Sequence, residues 1–215
     1  MSTDASFSQT PREERANALS HALGGLLALG ATPALADSLA IAQHPMRTLG
    51  LQVFVATLLL MYGVSTAYHA LPVGAAKRLL RKCDHAVIFI FIAGSYTPFA
   101  LHHVQQGAGW ELLALVWTIA LGGMLAKLGG SLRHPMLSTG LYLAFGWMVL
   151  LVARPMFQSL PEAGRWLLVA GGLAYTVGSG FYLLDKRLRY SHLVWHLFVI
   201  TGSSCHFLAV QQLLH

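Results

Sequence analysis

Residues 191–210 read SHLVWHLFVITGSSCHFLAV, an apolar run long enough to cross a bilayer as one helix, for which about 20 residues suffice. Three imidazoles interrupt it, at His192, His196 and His206. An ionisable side chain held in lipid needs a partner or a task. His192 and His196 are four residues apart, so on a helix they share one face about 6 Å apart along the axis. That is a two-ligand metal spacing. His206 lies roughly 40° round the same face but about 20 Å beyond His192, too far to share a metal with the pair. The pair has two readings, as metal ligands or as a polar seam bonded to neighbouring helices. Only the first requires further ligands at the same depth.

The rest of the 215-residue chain has the same character. It is 55% hydrophobic and 10% charged, with a mean hydropathy of +0.58, too few charges to cover a soluble globule of this size. The expectation is an all-α, polytopic membrane protein with no separate soluble domain. Residues 1–15, MSTDASFSQTPREER, form a polar tail without the basic segment, short apolar core and cleavage site of a secretory signal. The first helix is therefore expected to act as its own insertion signal. Cys83 and Cys205 supply neither a CxxC metal motif nor a disulfide framework, so redox chemistry is not expected.

Apolar runs fall at roughly 17–41, 48–71, 84–103, 108–127, 135–153, 165–184 and 191–213, which predicts a seven-helix transmembrane domain over residues 16–215. Pro45, Pro72, Pro135 and Pro161 sit in or beside the connections, while Pro33 and Pro98 are expected to kink the first and third helices. Gly24, Gly25, Gly122, Gly123, Gly171, Gly172, Gly178 and Gly180 read as positions of close helix approach.

Orientation follows from the basic residues. One side holds Arg12, Arg15, Lys77, Arg78, Arg81, Lys82, Lys127, Arg133, Lys186, Arg187 and Arg189, and the other holds Arg47, Arg154 and Arg165. Lysine and arginine favour the cytoplasmic side, so the N-terminus is expected in the cytoplasm and the C-terminus outside. The same distribution excludes nucleic acid as a partner, because the net charge of +6 is spread over termini and loops. The partner expected is membrane lipid, as surroundings and as substrate; a homo-oligomer is left open.

This topology sorts the polar residues by depth. The second helix runs inward and ends on Ser65 and His69, four apart on one face; the third begins at Asp84, and the seventh begins with His192 and His196. Five residues from three helices thus meet in one cytoplasmic layer, to which the first helix adds Asn17 and His21. His69, His192 and His196 supply three nitrogen ligands, the usual protein complement of a catalytic zinc whose fourth position is open. Zinc can lower the pKa of bound water toward about 7, and Asp84 is placed to orient that water or take its proton. Ser65 is read as hydrogen-bonding the water or a developing oxyanion. Each has a plainer reading: Asp84 as an interfacial charge paired with Arg81 or Lys82, Ser65 as a hydroxyl bonding its own helix, and His69 beside Tyr68 as an interfacial anchor. His85, turned away from Asp84, is expected to pack or to stand behind the ligands, and His21 to orient a ligand or line an access path, since metal-bound imidazoles usually have outer partners. His44, His102, His103, His134 and His215 are expected to be solvated, and His206 has no evident role.

The motifs also form an ordered set. ERANxxxH at 14–21, SxxxH at 65–69, a basic stretch into DH at 84–85, IAGSYTPF at 92–99, LYLAFGWM at 141–148, GGLAYTVGSGFY at 171–182 and HLVWHLFVITGSSCHF at 192–207 resemble the bacterial hemolysin III family. That family is grouped with the progestin and adipoQ receptors, including the adiponectin receptors, and more distantly with the alkaline ceramidases. The resemblance covers residues 13–210 and implies a seven-helix bundle with an intramembrane zinc near the cytoplasmic face. It places the family's zinc histidines at His69, His192 and His196, its water-holding aspartate at Asp84 and its motif serine at Ser65, with Glu13, Glu14 and Asn17 in the first motif.

For function, the resemblance points in two directions. One is a zinc-dependent, ceramidase-like hydrolase of a lipid amide or ester, serving lipid homeostasis in the bacterial inner membrane. The other is a non-enzymatic, pore-forming or cytolytic protein or a sensor of membrane state, with zinc clamping helices together. A pore calls for a polar face through the full depth, and the outer part of the chain offers only Ser95, Thr97, Thr118, Ser179 and His206.

Overall fold

The computed structural model describes residues 9–36, 45–103, 109–152 and 154–213. Among them the regular structure is entirely helical: α1 (Pro11–Ala36), α2 (Pro45–Ala70), α3 (Ala75–His102), α4 (Gly109–Leu128), α5 (Pro135–Trp147), α6 (Val149–Val152), α7 (Arg154–Ser159), α8 (Glu162–Leu183) and α9 (Ser191–Gln212). Helices α2, α3, α4, α8 and α9 are each long and apolar enough to cross a membrane, which makes this a multi-pass membrane protein. Helix α1 is as long as α2, but Asn17, Ser20, His21 and its small residues dilute its apolar run. Its Leu19, Leu23, Leu26, Leu27 and Leu29 are nonetheless exposed.

Three helices depart from the sequence reading. Helix α1 begins at Pro11, inside the expected polar tail, rather than at 17. Helix α3 begins at Ala75, not at 84, and carries Lys77, Arg78, Arg81 and Lys82 on its first turns. Asp84 therefore sits in the third turn rather than the first. An apolar criterion misses this segment, although Ala, Leu, Lys and Arg are all strong helix formers. The fifth run is broken. Helix α5 stops at Trp147 and α6 resumes at Val149 because the Tyr96 hydroxyl from α3 reaches the break. It accepts from the Val149 N–H at 2.7 Å and donates toward the Phe145 and Gly146 carbonyls at 3.0 and 2.9 Å, satisfying groups that an intact helix would pair internally.

Helix α3 lies at the centre. Its Val87, Phe91 and Phe99 join the core built with α1, α2 and α9, while Phe89, Ala93, Tyr96 and Ala100 pack with α4, α5 and α7. The other close pairs are α1 with α2, α8 with α9, and α9 back onto α1. At Gly94 any Cβ would strike the Thr57 side chain of α2, so glycine is required for that approach. Among the glycines read as packing positions, Gly123, Gly171 and Gly178 lie tight against neighbours, whereas Gly122 and Gly180 touch none. Pro33 and Pro98 lie inside α1 and α3 as expected. His44 and His215 lie outside the described residues.

Candidate metal centre

The start of α1 is fixed by its own sequence. In TPRE, residues 10–13, the Thr10 hydroxyl accepts the Glu13 N–H at 3.3 Å, and Glu13 Oε2 accepts the Thr10 N–H at 2.9 Å and its hydroxyl at 2.7 Å. This is a capping box with Pro11 in the first helical position, where the missing N–H costs nothing. Those bonds, led by the Thr10 hydroxyl, together with the Tyr190 N–H, hold the Glu13 carboxyl below the usual carboxylate range. Glu13 Oε1 takes that Tyr190 N–H at 2.9 Å. Tyr190 has φ 57°, a left-handed conformation uncommon outside glycine, and it leads directly into α9. One glutamate thus sets the start of α1 and braces the turn that delivers His192 and His196.

His69 from α2 and His192 and His196 from α9 are all buried, and each offers a ligand nitrogen within 4.8 Å of the others. Ring centroids stand 5.0 Å apart for His69–His192 and His69–His196 and 4.8 Å apart for His192–His196. In all three the Nε2 atom is buried without a hydrogen-bond partner. The opposite nitrogens face acceptors. His69 Nδ1 is 2.8 Å from Glu14 Oε2 and His196 Nδ1 is 3.0 Å from Ser20 Oγ and 3.3 Å from the Asn17 carbonyl, whereas His192 Nδ1 faces Asp185 Oδ2 at 3.5 Å without a hydrogen bond. Carboxylates and carbonyls behind an imidazole orient a metal-ligating histidine and fix its tautomer. Three orphaned, converging nitrogens backed in this way fit a metal ion. Tetrahedral Zn–N bonds of about 2.0–2.1 Å set nitrogens about 3.4 Å apart, so a bound zinc would draw the rings slightly together.

The remaining expected residues surround this cluster. His21 stacks on His196, with centroids 3.5 Å apart and planes at 9°. Asn17 is fully buried and donates to Gln9 Oε1 at 2.8 Å. Asp84 is buried with Oδ2 unpartnered and 3.5 Å from His85 Nδ1. Among the described residues no ion pair joins it to Arg81 or Lys82. His85 is turned aside, holding the Tyr182 hydroxyl at 2.9 Å and the Arg81 carbonyl at 2.8 Å. Ser65 is buried, and with Asp84 and His21 it lines one end of an apolar cavity with about 150 Å³ of room. On α3 the cavity wall runs from Asp84 to Phe99, about 22 Å at the helical rise.

Two features were not foreseen. Asp185, the partner of His192, is the lone acid of the stretch DKRLRY, a signal available in the sequence but hidden by its basic neighbours. His103 is buried and not solvated: its Nδ1 meets the Phe99 carbonyl at 3.0 Å and its Nε2 meets Ser159 of α7 at 2.6 Å. His134 is exposed, as expected.

The helices and this cluster define the class: a multi-pass helical membrane protein with a buried histidine triad at one end that could hold a metal ion. Residues 9–207 match the family described as Haemolysin-III related, and the chain belongs to that family. It is similar to a protein of Bacillus subtilis (strain 168) named Hemolysin-3 homolog, at 37% identity over 94% of each chain. Hemolysin-3 of Bacillus cereus is 35% identical over 95% of this chain and 93% of its own. More distantly, the chain resembles the Heptahelical transmembrane protein ADIPOR2 of Oryza sativa subsp. japonica, 25% identical over 76% of this chain and 81% of the relative. No solved structure matches the chain.

Proposed function

We propose that this protein is a zinc-dependent hydrolase of a lipid amide or ester in the bacterial inner membrane, spanning it seven times with its N-terminus in the cytoplasm. The observation that carries the reading is the placement of the unpartnered triad beside the polar end of a long apolar cavity. The exposed leucines of α1 and the broken pair α5–α6 support counting both as crossings, which with the five apolar helices makes seven.

His69, His192 and His196 would hold zinc through Nε2, with Glu14 and the Asn17 carbonyl fixing the rings of His69 and His196 and Asp185 facing that of His192. Zinc there would supply a Lewis acid for a carbonyl and activate water at neutral pH. Asp84 Oδ2, which no protein donor claims, takes the proton of the attacking water and returns it to the leaving nitrogen or oxygen. Ser65 donates a hydrogen bond to the oxygen on which charge develops. The apolar walls keep the acyl chain in place and bulk water out. Ser95 and Thr97, two of the residues a pore would need, instead bond the carbonyls of Ile92 and Ala93 on their own helix, which favours the hydrolase over conduction.

The test is hydrolysis of a ceramide-like amide by purified zinc-loaded protein beside Asp84→Asn. Turnover by the wild type and its loss in a variant that keeps its zinc are expected. Equal turnover, or none in a well-folded, zinc-loaded wild type, would refute the reading.

A further inference from the structure

The side chains that line the cavity form stripes along three helices, and at the triad end each stripe stops on an oxygen. On α2 the stripe is Met61 and Ser65, on α3 it runs from Phe99 back to Asp84, and on α8 it runs through Leu168, Gly172 and Tyr175 to Ser179. The α8 positions are three or four residues apart, which keeps them on one helix face. Ser65 and Asp84 have tasks in the proposed reaction. Ser179 has none.

The contacts between α8 and α9 fix its depth. A Cβ at Gly171 would meet the His206 ring, one at Gly178 would meet Phe198 and Trp195, and the Tyr182 ring stands 6.0 Å from that of His192. Ser179 is therefore level with His196, in the layer of the triad, although the sequence places it among the scattered polar residues further out. Its hydroxyl makes no hydrogen bond with the described residues, whereas Ser95, Thr176 and Ser203 donate to carbonyls of their own helices. Nor is it sealed within the protein: Ser179 is half-buried, and its oxygen is not among the closed-off polar atoms.

A serine on a helix can use its hydroxyl twice. The proton turns to the carbonyl four residues back, here that of Tyr175, as Thr176 donates to Gly172 at 2.7 Å, and the lone pairs stay free to accept. What meets them at the reacting end must carry a proton. We propose that Ser179 accepts the N–H of a lipid amide, which makes it the residue that positions the leaving nitrogen and favours amides over esters. The inference rests on the cavity being the substrate site of the proposed hydrolase. When water adds to the carbonyl, the nitrogen becomes pyramidal, and its lone pair has to point at the group that returns the proton, Asp84. Holding the N–H against Ser179 fixes that direction. An ester presents an oxygen without a proton at the same place and gains nothing from lone pairs that face it.

The test uses two lipids alike except that the scissile bond is an amide in one and an ester in the other, hydrolysed by zinc-loaded, detergent-solubilised protein whose zinc content is measured alongside. In Ser179→Ala the ratio of amide to ester kcat/KM is expected to fall about tenfold, the scale of one hydrogen bond, and in Ser179→Thr, which restores a hydroxyl, to recover. Damage to the fold or to the metal would lower both substrates in proportion and leave the ratio where it was. An unchanged ratio in Ser179→Ala therefore overturns the role of Ser179 and leaves the hydrolase standing. A ratio that stays low in Ser179→Thr traces the loss to packing and overturns that role as well. Turnover of neither lipid by well-folded, zinc-loaded wild type overturns both readings together.

Discussion

His103 and the triad lie at opposite ends of α3 and its cavity, and all four imidazoles are buried. At the His103 end both ring nitrogens are spent, one on the Phe99 carbonyl and one on Ser159. At the triad end His69 and His196 spend Nδ1 on an acceptor or a hydroxyl, His192 leaves both ring nitrogens without a hydrogen bond, and Nε2 is bare in all three rings, each of which offers a nitrogen within 4.8 Å of the other two. Burial is common to both ends and decides nothing. What separates a metal ligand from a structural histidine is which nitrogen the protein leaves unbonded, and whether neighbouring rings do the same.

The sharpest way to break this contrast is to remove a ring. His196→Ala deletes one of the three converging nitrogens and the stacking partner of His21, and is expected to abolish zinc binding, read as metal per chain after mild dialysis. An unchanged zinc content would mean that the triad is a packing seam. Asp84→Asn should leave zinc in place and lower turnover of a lipid amide by about 10²–10⁴-fold, the usual worth of a positioned general base. Loss of metal in that variant would make Asp84 a ligand.

The ends of the molecule also differed in how legible they were. The triad could be read because SxxxH and HxxxH set side chains on single helix faces, and basic residues fixed which ends of α2 and α9 meet. Asp84 was assigned to the same layer by depth, although α3 begins nine residues earlier than its apolar run. His103 was misread because its burial depends on α7, a short helix in what reads as a connection. The α5–α6 break escaped too, since it depends on a tyrosine hydroxyl arriving from another helix. Spacing reports faces of single helices; contacts between distant segments leave no period to read.

The acceptors behind the triad give smaller effects. Glu14→Gln keeps the shape but removes the charge facing His69 and Lys77, and is expected to weaken zinc binding by about 10–100-fold, as loss of such outer partners does. A chelator titration would measure it, and unchanged affinity would make Glu14 only a tie between α1 and α2. Acid should act on the same equilibrium. Imidazole must be neutral to bind a metal, so zinc affinity should be greatest at neutral pH and weaken as the medium is acidified. An affinity that held steady well into acid would point away from imidazole ligands.

The smallest effect is expected at the opposite end. Ser159→Ala removes the hydroxyl facing His103 Nε2 and leaves that nitrogen buried, at a cost of about 1–3 kcal/mol in stability toward thermal unfolding. Zinc content and affinity should not change, because no bond of His103 reaches the triad. His103→Phe removes ring nitrogen and hydrogen bond together and leaves a ring in place, so its stability cost should be no larger, provided Ser159 keeps its bond to the Met156 carbonyl at 2.7 Å. If either substitution lowered zinc affinity, the two ends would be coupled through α3, and the division between a structural histidine and a ligating one would have to be redrawn along that helix.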